Sequence, residues 1–140
     1  MPTVIVDTSA LLAFFDASEP DHEAVSGVLV VADVLVVSPY VVAELDYLVA
    51  TRHGVDDELA VLDELTGGAW DLAGFDEERL RRAREVIASY RDQAIGVADA
   101  SIVVLAERYR TRTIASLDRR HFDVVRSLDG GYFEVLPRVG

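Results

Sequence analysis

Short apolar segments alternate with helical patterns along this chain, and that alternation limits the fold more than any other feature. Val4–Val6 and the segment VLVVS at 34–38 are short and continuously apolar, as is typical of strands covered on both faces in a parallel sheet. Further short strands are expected at 69–74, 113–116 and 132–136. The pattern predicts an α/β fold with a doubly wound, mostly parallel sheet flanked by helices.

Six helices are predicted between these strands, and most have recognisable ends. One begins at Pro39 and ends at Gly54, and another has a capping acid at Asp76. The first is expected to use Thr8 or Ser9 as its N-cap. The six segments are 8–17, 22–32, 39–54, 56–68, 76–90 and 96–110. Ligands in such folds bind at the carboxyl ends of the strands, so the residues that follow the strands are the first candidates for a site.

Composition excludes several kinds of chemistry. The 140 residues contain no cysteine and no lysine, so disulfides, thiolate metal sites, cysteine nucleophiles and Schiff bases are ruled out. The net charge of −12 favours basic partners or metal cations. We expect one domain over residues 1–140, without a membrane span or signal peptide, in the cytoplasm.

Two acids follow predicted strands. Asp7 comes directly after Val4–Val6, and no arginine precedes Arg52. Asp118 lies shortly after the strand at 113–116. Each also has a simpler interpretation, since Asp7 suits a helix N-cap and Asp118 suits a turn.

Two further acids lie on apolar helix faces. Asp99 shares a stripe with Ile102 and Val103, so it needs a partner, which is either a functional ligand or an arginine ion pair. Glu44 and Asp46 both lie in a helix that is apolar almost all round. Periodicity does not decide which of these two faces the strand ends.

Four stretches of the chain together resemble one family. VDTSALLAFF, SPYVVAELDYL, GVADASIVVLAER and IASLDRRHF occur in the order and spacing of PIN-domain ribonucleases, and closely resemble the VapC toxins of bacterial toxin–antitoxin pairs. The resemblance spans the chain and implies a PIN-like fold. It also implies that the acidic quartet of the family falls on Asp7, Glu44, Asp99 and Asp118, which selects Glu44 over Asp46.

The resemblance implies a metal-dependent endoribonuclease. The four carboxylates would repel one another unless hard cations neutralise them, so Mg²⁺ or Mn²⁺ is expected as the cofactor, held by Asp7, Glu44, Asp99 and Asp118. RNA is the implied substrate, and cleavage is expected to leave a 5′-phosphate and a 3′-hydroxyl. The alternative is a catalytically inactive PIN scaffold that binds RNA or a protein partner.

Residues beside the quartet have two interpretations each. Thr8 and Ser116 either bond a carboxylate or a bound water, or only cap and turn the chain. Arg119 and Arg120 either contact RNA phosphates or serve the structure. His121 either contacts substrate or, as we favour, is structural.

The family also implies partners. A small VapB-type antitoxin is expected to wrap the toxin and often to place an arginine in the acidic site, where a guanidinium pairs well with carboxylates. A homodimer is expected as well. Two other α/β classes with acids at strand ends, receiver domains and haloacid dehalogenase-type phosphatases, are excluded because both need a lysine.

Overall fold

Five parallel strands form one sheet in the computed structural model, which describes residues 2–138. They are β1 (Thr3–Val6), β2 (Val34–Val37), β3 (Asp71–Leu72), β4 (Thr113–Ala115) and β5 (Glu134–Leu136). Their order across the sheet is β3-β2-β1-β4-β5, and every neighbouring pair is parallel. The predicted α/β class is confirmed. Residues 1, 139 and 140 of the expected domain lie outside the described range.

Six α-helices connect the strands, as the sequence predicts. They are α1 (Thr8–Phe15), α2 (His22–Val30), α3 (Pro39–His53), α4 (Val55–Leu65), α5 (Glu77–Ser89) and α6 (Val97–Arg108), with a short 3₁₀ helix at Arg91–Gln93 that was not predicted. In the part of the chain that the structure describes, none of these helices has the length and apolar character needed to cross a bilayer.

The core surrounds the central strands and α6. The side chains of Val4, Ile5 and Val6 are almost fully buried, and so is every residue of α6 from Ala100 to Ala106. The strand order reverses between β1 and β4, because the chain moves from β1 to β2 on one side and returns to β4 on the other. Open α/β sheets bind ligands at such a reversal, so the ends of β1 and β4 are the expected place for a site.

Of the residues considered as the N-cap of α1, the structure uses Asp7, in agreement with its simpler interpretation. Neither Thr8 nor Ser9 is the N-cap, because the helix already includes both; the cap is Asp7, whose side chain accepts a hydrogen bond from the backbone N–H of Thr8. The chain passes from β1 into α1 without a connecting loop. The same tight connection keeps Asp7 at the end of the strand.

The strand predicted at 69–74 is shorter than expected. Only Asp71 and Leu72 pair with β2, at the edge of the sheet. Trp70 turns inward instead, where it is 8% exposed and packs edge-on against Phe14. Its indole N–H donates to Glu64 at 2.9 Å, so this tryptophan is a core residue.

The start of α3 is fixed to α6 by two serines. Ser38 caps α3 by accepting a hydrogen bond from the N–H of Tyr40, and Pro39 occupies the first turn. The Ser38 hydroxyl also lies 2.7 Å from the hydroxyl of Ser101 in α6, and both serines are fully buried. This contact sets α3 and α6 relative to each other at the end of β2.

Two acids meet where α3 packs on α4. Asp46 of α3 lies close to the carboxyl of Glu58 in α4, and its side chain is the main cause that raises the pKa of Glu58. Asp46 Oδ1 is buried and has no hydrogen-bond partner among the described residues. Two carboxyls form a hydrogen bond only when one of them keeps a proton.

We therefore predict that Glu58→Gln makes the fold more stable above neutral pH. A raised carboxyl pKa contributes stability at low pH and loses it as the pH rises through the folded-state value. An amide at position 58 donates to Asp46 without needing that proton. Thermal melting of wild type and Glu58→Gln at pH 5 and pH 8 measures the effect, and the gain should be larger at pH 8. Equal differences at the two pH values would contradict the shared proton.

Candidate active site

The four acids expected in the site come from four elements and influence one another. Asp7 follows β1, Asp118 follows β4, Glu44 lies in the second turn of α3, and Asp99 lies in the first turn of α6. Burial is the main cause that raises the pKa of Asp7 and Asp99, and charge on nearby acids adds to it. Asp99 and Glu44 act on Asp7, while Glu44 and Asp118 act on Asp99. Each of the four acids therefore lies within electrostatic range of at least one other near the strand reversal.

Asp7 is the most buried acid of the group, at 5% exposed. Its Oδ1 accepts from the backbone N–H of Thr8 at 2.8 Å, and its Oδ2 accepts from the hydroxyl of Ser116 at 2.6 Å. Burial raises the pKa of Asp7 to about 6, although the Ser116 hydrogen bond opposes the rise. Asp7 is therefore a carboxylate with a fixed orientation and a charge that its surroundings do not neutralise.

Thr8 ties Glu44 to the end of β1. The Thr8 hydroxyl donates to Oε1 of Glu44 at 2.5 Å. Asp46, on the same helix, turns to Glu58 instead. Residues two positions apart on a helix differ by about 200° around its axis, so only one of the two acids can face the strand ends. The geometry puts Glu44 there, as the resemblance implies.

Asp99 meets a histidine. His121 Nδ1 lies 2.6 Å from Oδ2 of Asp99, and the two side chains are 20% and 23% exposed. Burial raises the pKa of Asp99, while the hydrogen bond and charge of His121 lower it. The alternative interpretation of Asp99, an ion pair with an arginine, is not formed within residues 2–138. The first turn of α6 also favours a carboxylate there through the helix dipole.

Asp118 is paired with Arg120. The guanidinium lies 3.2 Å from each carboxylate oxygen, through Nε and Nη2. This hydrogen bonding is the main cause that lowers the pKa of Asp118. Asp118 differs from Asp7 in this respect, because its charge already has a partner.

Two serines join the ends of β1 and β4. The Ser116 hydroxyl donates to Asp7 and accepts from the backbone N–H of Asp118 at 3.0 Å. The Ser9 hydroxyl accepts from the N–H of Leu117 at 2.9 Å and lies 3.4 Å from Asp7 Oδ2. For Thr8 and Ser116, the carboxylate-bonding interpretation is the one that the structure supports. The sequence predicts only a capping role for Ser9. Its position two residues after Asp7, in the first turn of α1, already places its hydroxyl near that carboxylate.

Comparison with known proteins now identifies this arrangement. The model of the PIN domain family matches residues 4–128. The chain belongs to the PIN-domain family. Ribonuclease VapC26 of Mycobacterium tuberculosis is 64% identical over 135 residues, which cover 96% of this chain and all of that protein. With that identity over nearly its full length, this PIN domain is a VapC-type ribonuclease toxin.

Solved structures share the PIN fold at much lower identity. VapC20 of Mycobacterium tuberculosis, a Sarcin-Ricin loop cleaving toxin, matches with a TM-score of 0.76 and 17% identity over 83% of this chain and 90% of its own. VapBC2 from Rickettsia felis, bound to a DNA fragment from its promoter, gives a TM-score of 0.71 and 15% identity over 96% of this chain and 98% of its own. These matches concern the fold.

The donor set of this PIN domain fits a hard divalent cation. It consists of carboxylates and hydroxyls, and the chain has no thiol. Within residues 2–138, no three His, Asp or Glu side chains are already arranged as ligands of one ion; the four acids are hydrogen-bonded to neighbours instead. Mg²⁺ commonly binds one or two carboxylates and keeps several waters, so it does not need a complete protein cage.

The two arginines beside Asp118 differ in availability. Arg119 Nη1 donates to the backbone carbonyls of Val135 and Pro137, at 3.0 and 3.4 Å, so its guanidinium is used in holding β5. The Arg120 side chain is 82% exposed. Of the two expected RNA contacts, Arg120 is the one left accessible.

Two of the four arginines of α5 form surface ion pairs. Arg81 pairs with Glu77 at 3.1 Å, as the spacing predicts. Arg82 pairs with Glu85, and Glu78 pairs with Arg108 of α6 rather than with Arg82. The Glu78–Arg108 pair links α5 to α6, and the other two pairs lie along an exposed face of α5.

The chemistry of Asp7 yields a prediction for the cation-free protein. The rise of its pKa from 3.8 to about 6 means that the folded state binds its proton more tightly than the unfolded chain. The penalty is absent below pH 3.8 and complete above about pH 6, where it reaches about 3 kcal/mol at most. We expect Asp7→Asn in EDTA to be more stable than wild type at pH 7.5.

Urea unfolding at pH 4.5 and pH 7.5 tests this prediction. The advantage of Asp7→Asn should be small at pH 4.5 and larger at pH 7.5, since Asn keeps an acceptor for Thr8 and a group that Ser116 can bind. Asp21→Asn, at an exposed acid, serves as the control, and its effect on the free energy of unfolding should not grow between pH 4.5 and pH 7.5. A difference that is independent of pH would show that Asp7 carries no unfavourable charge.

Proposed function

We propose that this PIN domain, spanning residues 1–140, is a divalent-cation-dependent endoribonuclease that cuts RNA in the cytoplasm as the toxin of a toxin–antitoxin pair. The observation that carries the proposal is the buried, incompletely neutralised Asp7 at the strand reversal, with Glu44 and Asp99 close enough to raise its pKa and Asp118 close enough to raise that of Asp99. A carboxylate in this position destabilises the fold unless a cation compensates its charge.

Each residue has a distinct part in this proposal. Asp7, Glu44, Asp99 and Asp118 would hold Mg²⁺ or Mn²⁺, which would activate water and stabilise the charge that develops on the phosphodiester. Ser116 and the N–H of Thr8 orient the carboxylate of Asp7, and the Thr8 hydroxyl orients Glu44. Arg120 would contact an RNA phosphate, because it is exposed and adjacent to Asp118.

Glu44 and Asp46 offer a matched pair for testing the site. Glu44→Gln keeps an acceptor for Thr8 but removes a charge from the site, so we expect cleavage of RNA to fall by about a hundredfold or more. Asp46→Asn lies on the same helix and faces Glu58, so its cleavage rate should stay within a few-fold of wild type. The measurement is the cleavage rate with Mg²⁺ or Mn²⁺ and in EDTA.

The same proteins also report cation binding. Divalent cation should raise the melting temperature of wild type and Asp46→Asn, because it binds the folded site and not the unfolded chain, and it should raise that of Glu44→Gln less. If Asp46→Asn were the inactive variant, α3 would present Asp46 rather than Glu44 to the strand ends. Wild-type protein that binds RNA but shows no metal-dependent cleavage would support the alternative, an inactive scaffold.

We also propose that a VapB-type antitoxin binds a groove between α1, α3 and α4. The groove has a volume of about 450 Å³ and contains none of the four site acids. Phe14, Phe15 and Val49 form its apolar wall, and acidic side chains such as Asp57 and Glu64 also line it. This combination suits an amphipathic segment with apolar anchors and basic residues. The groove leaves the exposed Tyr47 of α3 free for the expected homodimer.

Ala60→Trp tests the groove. Ala60 is exposed on α4 and lines the cavity, so a tryptophan there fills the space without removing a core side chain. We expect the affinity for the antitoxin encoded with this chain to fall by roughly tenfold to a hundredfold, as for other overpacked contacts of about 1–3 kcal/mol. Calorimetric titration measures it.

The control is Ala24→Trp, which places the same side chain at an exposed position of α2 outside the groove. Both variants should keep wild-type cleavage of RNA when the antitoxin is absent. Unchanged antitoxin affinity in Ala60→Trp would exclude the groove as the antitoxin-binding site. An equal loss of affinity in Ala60→Trp and Ala24→Trp would show that the loss does not come from filling the groove.

A further inference from the structure

His121 makes a hydrogen bond that the functions considered so far do not use. It follows Asp118 by three residues in the segment between β4 and β5, while Asp99 lies in α6, 22 positions earlier in the chain. The two side chains meet at 2.6 Å, and both are about four-fifths buried. A contact this short and sheltered holds both groups in one orientation.

The chemistry of the two groups fixes the direction of the bond. An ionised carboxylate can only accept, so Nδ1 of His121 carries the hydrogen and Oδ2 of Asp99 accepts it. Within residues 2–138, His121 is the one side chain that hydrogen-bonds this carboxylate. Asp99 Oδ1 is then the oxygen that remains for a cation.

Comparison with the other acids shows why an imidazole suits this position. Arg120 holds Asp118 with a permanent positive charge and lowers its pKa. An imidazole can orient a carboxylate through its Nδ1–H without carrying the permanent charge of a guanidinium. The hydroxyls of Ser116 and Thr8 do the same for Asp7 and Glu44. Three of the four acids are thus oriented by groups that can be neutral.

We propose that His121 is a positioning residue for the cation site, which holds Asp99 through the Nδ1 hydrogen bond so that Oδ1 is presented to Mg²⁺ or Mn²⁺. The inference rests on the proposed function, because it assumes that Asp99 is a cation ligand. Partners that hydrogen-bond a metal ligand fix its orientation, and their loss typically lowers metal affinity by about 10–100-fold.

Two substitutions separate orientation from other roles. His121→Ala removes the donor, and we expect the affinity for Mn²⁺, measured by calorimetry, to fall by about 10–100-fold. His121→Asn places an amide N–H near the position of Nδ1, so the affinity should return to within a few-fold of wild type. Cleavage at saturating Mn²⁺ should follow the same order, with Asn close to wild type and Ala weaker.

The chain provides a matched control. The Nδ1 atom of His22 is also in a partly buried hydrogen bond, to the carbonyl of Ala13 at 2.7 Å, but this bond lies at the contact of α1 with α2. His22→Asn should leave Mn²⁺ affinity unchanged. Melting curves in EDTA show whether each variant is folded. If His121→Ala does not fold, His121→Gln takes its place in the comparison with His121→Asn. The amide of Gln reaches further than that of Asn, so it should not restore the bond to Asp99.

Other outcomes overturn the inference. Wild-type Mn²⁺ affinity in His121→Ala, or in His121→Gln where it is the replacement, would show that His121 does not position Asp99. Normal affinity in both Ala and Asn variants with loss of cleavage in both would make His121 a catalytic acid instead. Asp99→Asn separates failure of the proposed function from failure of this inference. If Asp99→Asn binds Mn²⁺ as tightly as wild type, both are wrong. If Asp99→Asn loses Mn²⁺ binding while His121→Ala keeps it, only the inference about His121 is wrong.

Discussion

The burial of the Asp7 carboxylate between the ends of β1 and β4 is the constraint on which the rest of the site depends. The chain enters α1 directly from β1, so Asp7 cannot move away from the sheet, and its environment is apolar enough to raise its pKa to about 6. Serine and threonine hydroxyls orient this carboxylate and its neighbour Glu44 without neutralising them. The negative charge that remains is the basis of the proposal that a divalent cation binds at the strand reversal.

The helices bring the other acids to Asp7 through contacts made elsewhere. The buried bond between Ser38 and Ser101 sets α3 against α6, and these helices carry Glu44 and Asp99. The segment after β4 then supplies Asp118 together with Arg120 and His121, which contact Asp118 and Asp99. Asp118 is therefore paired with a guanidinium, whereas hydroxyls and an imidazole orient the other three acids.

The sequence predicted the fold well because short apolar strands alternate with helices of ordinary length, and continuous apolar strands favour a parallel sheet. It predicted Asp7 and Asp118 from their places after strands. Hydrophobic periodicity could not decide whether Glu44 or Asp46 faces the strand ends, because α3 is apolar almost all round. The family resemblance selected Glu44, and the hydrogen bond from Thr8 to Glu44 agrees with that choice. The bonds of His121 to Asp99 and of Ser9 to Leu117 join residues 22 and 108 positions apart, and no local pattern encodes such pairs.

Anomalous scattering from crystals grown with Mn²⁺ tests the proposal that these carboxylates bind one cation centre. Mn²⁺ scatters anomalously, so its position is found independently of how the side chains are built. We expect an anomalous peak in coordination contact with Asp7 and Asp99. Peaks confined to other carboxylates, such as the Asp46–Glu58 pair, with none beside Asp7 at saturating Mn²⁺, would contradict it.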